Sequence, residues 1–308
     1  MEPIRGIGLV VATAALASTS MLVGCSLPSI PGVDGGQASG VGDPTARTGA
    51  SADGASSVQL LRVVDGDSIE VEVDGETVPV RLIGYNAPEL FVPAPVQGGG
   101  DTRTCNGQAA KDTLAELLGD GPVTLVGDRT DRFGRRLASV TVGDIAVGRE
   151  MIDRGWGVAI GGGEGRTDGV DASADRDRMK RAAADRRGMW GPRCGEAVQP
   201  GPAVEDWEVD PPGPDGERLE AEWIGLVNRF EETIDLDGWV IRDATSSNRF
   251  PLRGSLRAGR SLTVRTGSGA STEAVLYLGE SFPVWSNDGE TVLLVDPAGV
   301  VASWAFID

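Results

Sequence analysis

The stretch from Val63 to Glu89, VVDGDSIEVEVDGETVPVRLIGYNAPE, limits what this chain can fold into more than any other. Its apolar residues alternate, which predicts three short strands, LLRVV, SIEVEV and TVPVRLIG, with Asp74-Gly75 as a tight hairpin turn. Two polar clusters interrupt the alternation. Asp65-Gly66-Asp67-Ser68 stands where the first strand hands over to the second, and Arg81, Asn86 and Glu89 bracket the end of the third. Carboxylates, an amide oxygen and an arginine gathered at strand ends are costly to bring together unless a cation or a phosphate sits among them. A second piece, DRFGRRLA from Asp131 to Ala138, adds Arg132, Arg135 and Arg136.

Each feature alone has an ordinary reading. Asp65-Gly66-Asp67 is a common solvated turn, and a strand arginine such as Arg81 usually pairs with a neighbouring acid. Phe133-Gly134 reads as a turn and Arg135-Arg136 as an exposed basic pair. Together they suit attack on a phosphodiester, whose charge repels nucleophiles until a metal and guanidinium groups offset it. Two arginines can each fork onto phosphate oxygens, which a lysine cannot do. The chain has no histidine. That excludes histidine-metal nucleases, Ser-His-Asp hydrolases and phosphohistidine chemistry, and leaves a carboxylate such as Glu89 as the natural base.

The DGD turn, the segment RLIGYNAPE and the later DRFGRRLA resemble, in order and spacing, the thermonuclease or staphylococcal-nuclease-like family, over residues 57–195. The resemblance implies that Asp67 and Asn86 are calcium ligands, helped by the backbone carbonyl of Ala87, with Asp65 one step further out holding bound water. It implies Glu89 as general base and Arg81 and Arg135 as the phosphate clamp, with Arg132 and Phe133 as weaker substrate contacts. It also implies Ca2+ as cofactor and DNA, with RNA second, as substrate. Two positions depart from the pattern. Asn86 stands where the best-known members have aspartate, and Phe133 where they have tyrosine. An amide oxygen still binds calcium and a phenyl ring still offers a stacking face. A catalytically silent barrel that binds nucleic acid or protein is the rival reading.

Five predicted strands and three helix-like segments, CNGQAAKDTLAELLGD, IAVGREMIDRGWG and ADRDRMKRAAADRRGMWG, fit an α+β domain built on a five-stranded OB-type barrel. The Gly-rich stretch between the last two has no preceding strand and no phosphate-loop lysine, so it is not read as a nucleotide cradle. Cys105 and Cys194 fall within this domain, and in an exported protein they are expected to form a disulfide. Residues 196–217, EAVQPGPAVEDWEVDPPGPDGE, read as a semi-rigid Pro- and acid-rich linker crossed by few contacts. From 218 to 308 the pattern is all-β. The segments EWIGLVN, IDLDGWVIRD, RTGSG and PVWSNDGETVLLVD resemble a lamin-tail-type domain, implying an immunoglobulin-like sandwich; Trp223, Trp239, Trp285 and Trp304 could be exposed binding aromatics, but tryptophans in strands more commonly pack a core, and no site is assigned to them. An envelope scaffold or adhesion protein acting through that sandwich is a second rival.

Charge divides unevenly along the chain. Residues 58–195 carry 18 basic and 22 acidic side chains, while 196–308 carry 8 and 20. The acidic tail domain is expected to repel polyanions, leaving local arginines and a divalent cation to attract substrate. The chain is expected to be a monomer.

At the N-terminus a short apolar run ends in Leu22-Val23-Gly24-Cys25, which resembles a bacterial lipoprotein signal with its lipobox. A plain secretory peptide and an uncleaved anchor are the alternatives. Residues 1–25 are read as the signal, and residues 26–56, rich in Gly, Ser, Ala, Pro and Asp, as a flexible tether from a membrane lipid on Cys25 to the first domain. Cys25→Ala is expected to release the protein from the membrane fraction or to block its processing, as judged by fractionation and mass; unchanged membrane recovery with a mature N-terminus elsewhere would refute lipidation there.

Overall fold

The computed structural model describes residues 55–92, 102–160, 172–191, 201–214, 216–245, 248–287 and 289–307. Cys25, Cys194, the signal segment, nearly all of the tether and the Gly-rich stretch before the third helix lie outside these residues.

The alternation seen in the sequence builds a closed barrel. Strands β1 (Ala55–Val63), β2 (Ser68–Val73) and β3 (Glu76–Leu82) form a meander, and β4 (Pro122–Val126) and β5 (Arg136–Val142) complete it. β1 already begins at Ala55, two residues before the expected domain start. Neighbours pair antiparallel, and the ring closes where β3 and β5 run parallel, with Val80 opposite Arg136 and Arg81 opposite Leu137. The β2–β3 hairpin turns on Asp74 and Gly75, both at positive φ, as an Asp-Gly turn of this kind requires. Ile69, Val71, Val80, Leu82, Val123, Leu125, Ala138 and Val140 fill the interior.

Three helices cover the barrel: α1 (Cys105–Leu118), α2 (Val147–Asp153) and α3 (Ala172–Ala184). Two are shorter than their sequence spacing predicts. Ile145 and Ala146 pair with β5 instead of opening α2. The chain turns at Arg186, whose φ of 54° ends the third helical run, and Met189 and Trp190 are then buried in a single 3-10 turn.

The C-terminal part is a sandwich of two four-stranded sheets. One orders β6 (Ala203–Glu208), β7 (Trp223–Val227), β10 (Ser261–Arg265) and β11 (Val275–Tyr277). The other orders β9 (Arg249–Pro251), β8 (Val240–Arg242), β12 (Glu290–Val295) and β13 (Val301–Ile307). Strand β6 lies inside the stretch expected to be linker. Val204 and Trp207 pack against the sandwich core, and the backbone pairs with β7, so the Pro-rich flanks frame an edge strand. Trp239 and Trp285 are buried in that core as expected.

The expectation of few contacts between the domains also fails. Strand β12 is apolar on both faces: Val292 and Leu294 enter the sandwich core, while Leu293 and Val295 join the core of the nuclease-like domain. Strand β13 does the same with Trp304 and Phe306, whose rings stand 5.2 and 6.2 Å from that of Trp190, edge-on. Thr291 Oγ1 reaches Met179 Sδ at 3.8 Å, and Lys180 lies over the Phe306 ring. A chain ending at residue 200 would expose this apolar surface. It should melt below the full-length protein and bind a hydrophobic dye; equal melting with no dye binding would show that the interface adds nothing to stability.

Candidate active site

The site forms where β1 hands over to β2 and where β3 ends. The Asp65–Ser68 turn is held from within: Asp67 N–H donates to Asp65 Oδ1 at 3.0 Å, and Ser68 Oγ donates to Asp67 Oδ1 at 3.1 Å. It is also held from outside, where the buried Tyr85 hydroxyl donates to the Gly66 carbonyl at 2.9 Å. Gly66 is needed there for space. A Cβ on it would lie 2.6 Å from the Ala87 and 2.8 Å from the Ala110 methyl carbons.

Arg81 joins the two polar clusters. Its guanidinium donates to the carbonyls of Leu82 at 2.5 Å and Tyr85 at 3.2 Å, and to Asn86 Oδ1 at 2.9 Å. It stands 3.2 Å from Asp67 Oδ2, with both side chains only 11% exposed. Asp67 Oδ2 also accepts the Ala87 N–H at 2.7 Å. Burial lifts the Asp67 carboxyl to about 6; Arg81 and the Ala87 N–H pull it down, and the negative charges of Asp65 and Glu89 push it up. Asn86 is 2% exposed, and its Nδ2 has no hydrogen-bond partner among the described residues.

Glu89 follows the buried Ala87-Pro88, with its side chain 39% exposed. Helix α1 sets its backbone. Thr104 caps that helix by accepting the Gly107 N–H at 2.9 Å, and its hydroxyl donates to the Glu89 carbonyl. Gly107 packs so closely that a Cβ would come 2.2 Å from the Glu89 oxygen. Tyr85, Thr104 and Gly107 thus position the site. Sequence reasoning missed them, since a tyrosine in a strand and a glycine in a helix carry no signal of a partner far along the chain.

The second motif places its residues on the turn before β5. Asp131 accepts the N–H groups of Phe133 and Arg135 and, at 2.8 Å, the Nε of Arg135. Although partial burial works the other way, these donors hold the Asp131 carboxyl below its ordinary range. Phe133 is 68% exposed, with the guanidinium groups of Arg132 and Arg135 over its ring. The parallel β3–β5 pairing puts this turn beside the strand of Arg81, whereas Arg136 is taken up by the Gly127 carbonyl. The structure brings Asp65, Asp67, Arg81, Asn86, Ala87 and Glu89 into one cluster, with Arg135 on the adjoining turn.

Comparison with known proteins agrees with this fold. A family model described as Staphylococcal nuclease homologue matches residues 79–192, and one described as Lamin Tail Domain matches residues 198–307. The Thermonuclease of Staphylococcus intermedius is 40% identical over 88 residues, 28% of this chain and 48% of that protein. Protein ParB of Escherichia coli is 30% identical over 142 residues, 43% of this chain and 71% of that protein. The Thermonuclease of Staphylococcus hyicus is 34% identical over 100 residues, 32% and 55% of the two chains. The chain thus spans about half the length of these two thermonucleases. The closed five-stranded barrel with three helices, the two domain matches and these relatives together show that the chain belongs to the staphylococcal nuclease homologue family, with a lamin tail domain following the nuclease domain.

Proposed function

We propose that this protein is an exported, lipid-anchored, calcium-dependent nuclease that hydrolyses phosphodiester bonds of DNA, with RNA as a second substrate. The observation that carries the reading is the buried Arg81 guanidinium bridging Asp67 and Asn86, with Glu89 three residues beyond on the same loop. Family membership, the partly exposed Glu89 and the relatives' thermonuclease names support it; the lipobox-like Leu22–Cys25 supports export and anchoring. A disulfide between Cys105 and Cys194 belongs to the same proposal.

The residues present fit a hard divalent cation. Asp67, Asn86 and Ala87 offer carboxylate, amide and carbonyl oxygens, the hard donors that such an ion takes. Bound there, calcium would supply positive charge against a phosphate. The chain's own groups do the rest. Arg81, fixed by two backbone carbonyls, and Arg135, fixed by Asp131, direct guanidinium N–H groups at phosphate oxygens and stabilise the charge that develops there. Glu89 takes the proton from the attacking water as its oxygen bonds to phosphorus, and the bond to the leaving oxygen breaks.

Glu89→Gln should retain fold and DNA binding but lower turnover by about 10²–10⁴-fold in a plasmid-cleavage assay with calcium, since that is the usual worth of a positioned base. Parent-like cleavage by this variant would remove Glu89 from the mechanism. Asn86→Asp puts a carboxylate where an unpartnered buried Nδ2 now stands. It should lower the calcium concentration for half-maximal cleavage, and enlarge the rise in melting temperature that calcium produces. Identical titrations in the two proteins would show that residue 86 does not meet the metal.

A further inference from the structure

The sheet that docks on the nuclease domain does so through one cross-strand row. Register places Arg249 opposite Arg242, Arg242 opposite Leu293, and Leu293 opposite Trp304. Alternation puts all four on the face turned toward the nuclease domain. Val240, two residues before Arg242, packs against the nuclease-domain core with Leu293 and Trp304, whereas Ile241 and Phe250 point into the sandwich. The row is apolar at one end and cationic at the other. Trp304 meets Trp190, and Arg249 Nη1 stands 3.9 Å from Glu89 Oε1 across the domain boundary.

Among the described residues, neither guanidinium forms a salt bridge with a carboxylate of its own domain. Asp243, beside them in sequence, already accepts from Thr245 N–H and Oγ1 at 2.7 Å and from Asn248 Nδ2 at 2.6 Å. Arg242 is 2% exposed; among the described residues its Nε has no hydrogen-bond partner, and its Nη1 donates to the Thr245 carbonyl at 3.4 Å. Burial and the adjacent Arg249 lower it to about 10, while the charges of Glu89, Asp243 and Asp67 hold it up. Buried like charges on neighbouring strands are unfavourable unless an anion offsets them. Besides Asp243, the anions that act on this pair are the nuclease carboxylates Glu89 and Asp67, the groups around which a substrate phosphate would arrive. Arg249 itself remains 26% exposed.

We propose that the lamin tail domain contributes Arg249 to the nuclease site as a third phosphate-binding arginine, backed by the buried Arg242. This rests on the nuclease reading and deepens it. The acidic tail domain then does not merely repel the substrate polyanion: at the cationic end of its docked face it presents guanidinium groups beside Glu89. The Arg249 guanidinium stands 3.9 Å from the Glu89 carboxylate, and at 26% exposure it is open enough to receive a phosphate oxygen.

The test separates phosphate binding from simple holding of Glu89. Binding of a short labelled DNA is measured by anisotropy, in calcium and across a salt series, for Glu89→Gln and for Glu89→Gln combined with Arg249→Gln. In both proteins the carboxylate partner is gone. If Arg249 binds phosphate, the double variant binds roughly tenfold more weakly and its log–log salt slope falls by about one. The combination of Glu89→Gln with Arg249→Lys should keep the slope, and melting curves should show all three proteins folded. Identical isotherms with and without Arg249, or tighter binding without it, would overturn the proposal and leave the ion pair as a structural or blocking contact. Failure of the nuclease reading shows differently: the parent protein would leave DNA uncut while the effect of Arg249 on binding persisted.

Discussion

A guanidinium buried beside a carboxylate fixes the geometry on which the rest of this molecule depends. Arg81 is held by the carbonyls of Leu82 and Tyr85, and through them by the end of β3. From that position it reaches Asp67 on one loop and Asn86 on another. Breaking such a buried pair from one side leaves an uncompensated charge, which is far more harmful than replacing both partners. The barrel therefore has one arrangement of its polar loops, because any other strands a charge in the interior.

That arrangement is reinforced by close packing where side chains are absent. Gly66 lets Ala87 and Ala110 approach the DGD turn, and Gly107 lets α1 come against the Glu89 carbonyl. The helix is thus part of the site without supplying a reacting group. Thr104 ends the helix and tethers Glu89 with one hydroxyl, so helix capping and placement of the base are the same interaction.

The second domain is bound by the same two kinds of force. The apolar half of its docking row, Leu293 and Trp304, extends the nuclease core, and the cationic half, Arg242 and Arg249, answers the site carboxylates. Apolar burial supplies most of the attraction, while the charges set which part of the sheet lies over the site. Strands β12 and β13 pack on both faces, one toward each core, and so join the two domains.

The period-two alternation around Val63–Glu89 determined the meander and its turn, because a pleated strand has only two faces to offer. The clustering of Asp65, Asp67, Arg81, Asn86 and Glu89 at strand ends was legible for the same reason: all lie within one supersecondary unit whose register is local. Apolar patterning could not say which core a residue joins. TVLLV reads as one buried strand, yet Val292 and Leu294 serve one domain while Leu293 and Val295 serve the other. Nor did VEDWE show in sequence that it is an edge strand, since its pairing with β7 is set by residues some 20 positions away. Arg249 and Glu89 are 160 residues apart, and the docking of one sheet's outer face on the nuclease domain brings them within 3.9 Å. Contacts between distant segments follow from how whole faces fit together, and that information is written in no short stretch of the chain.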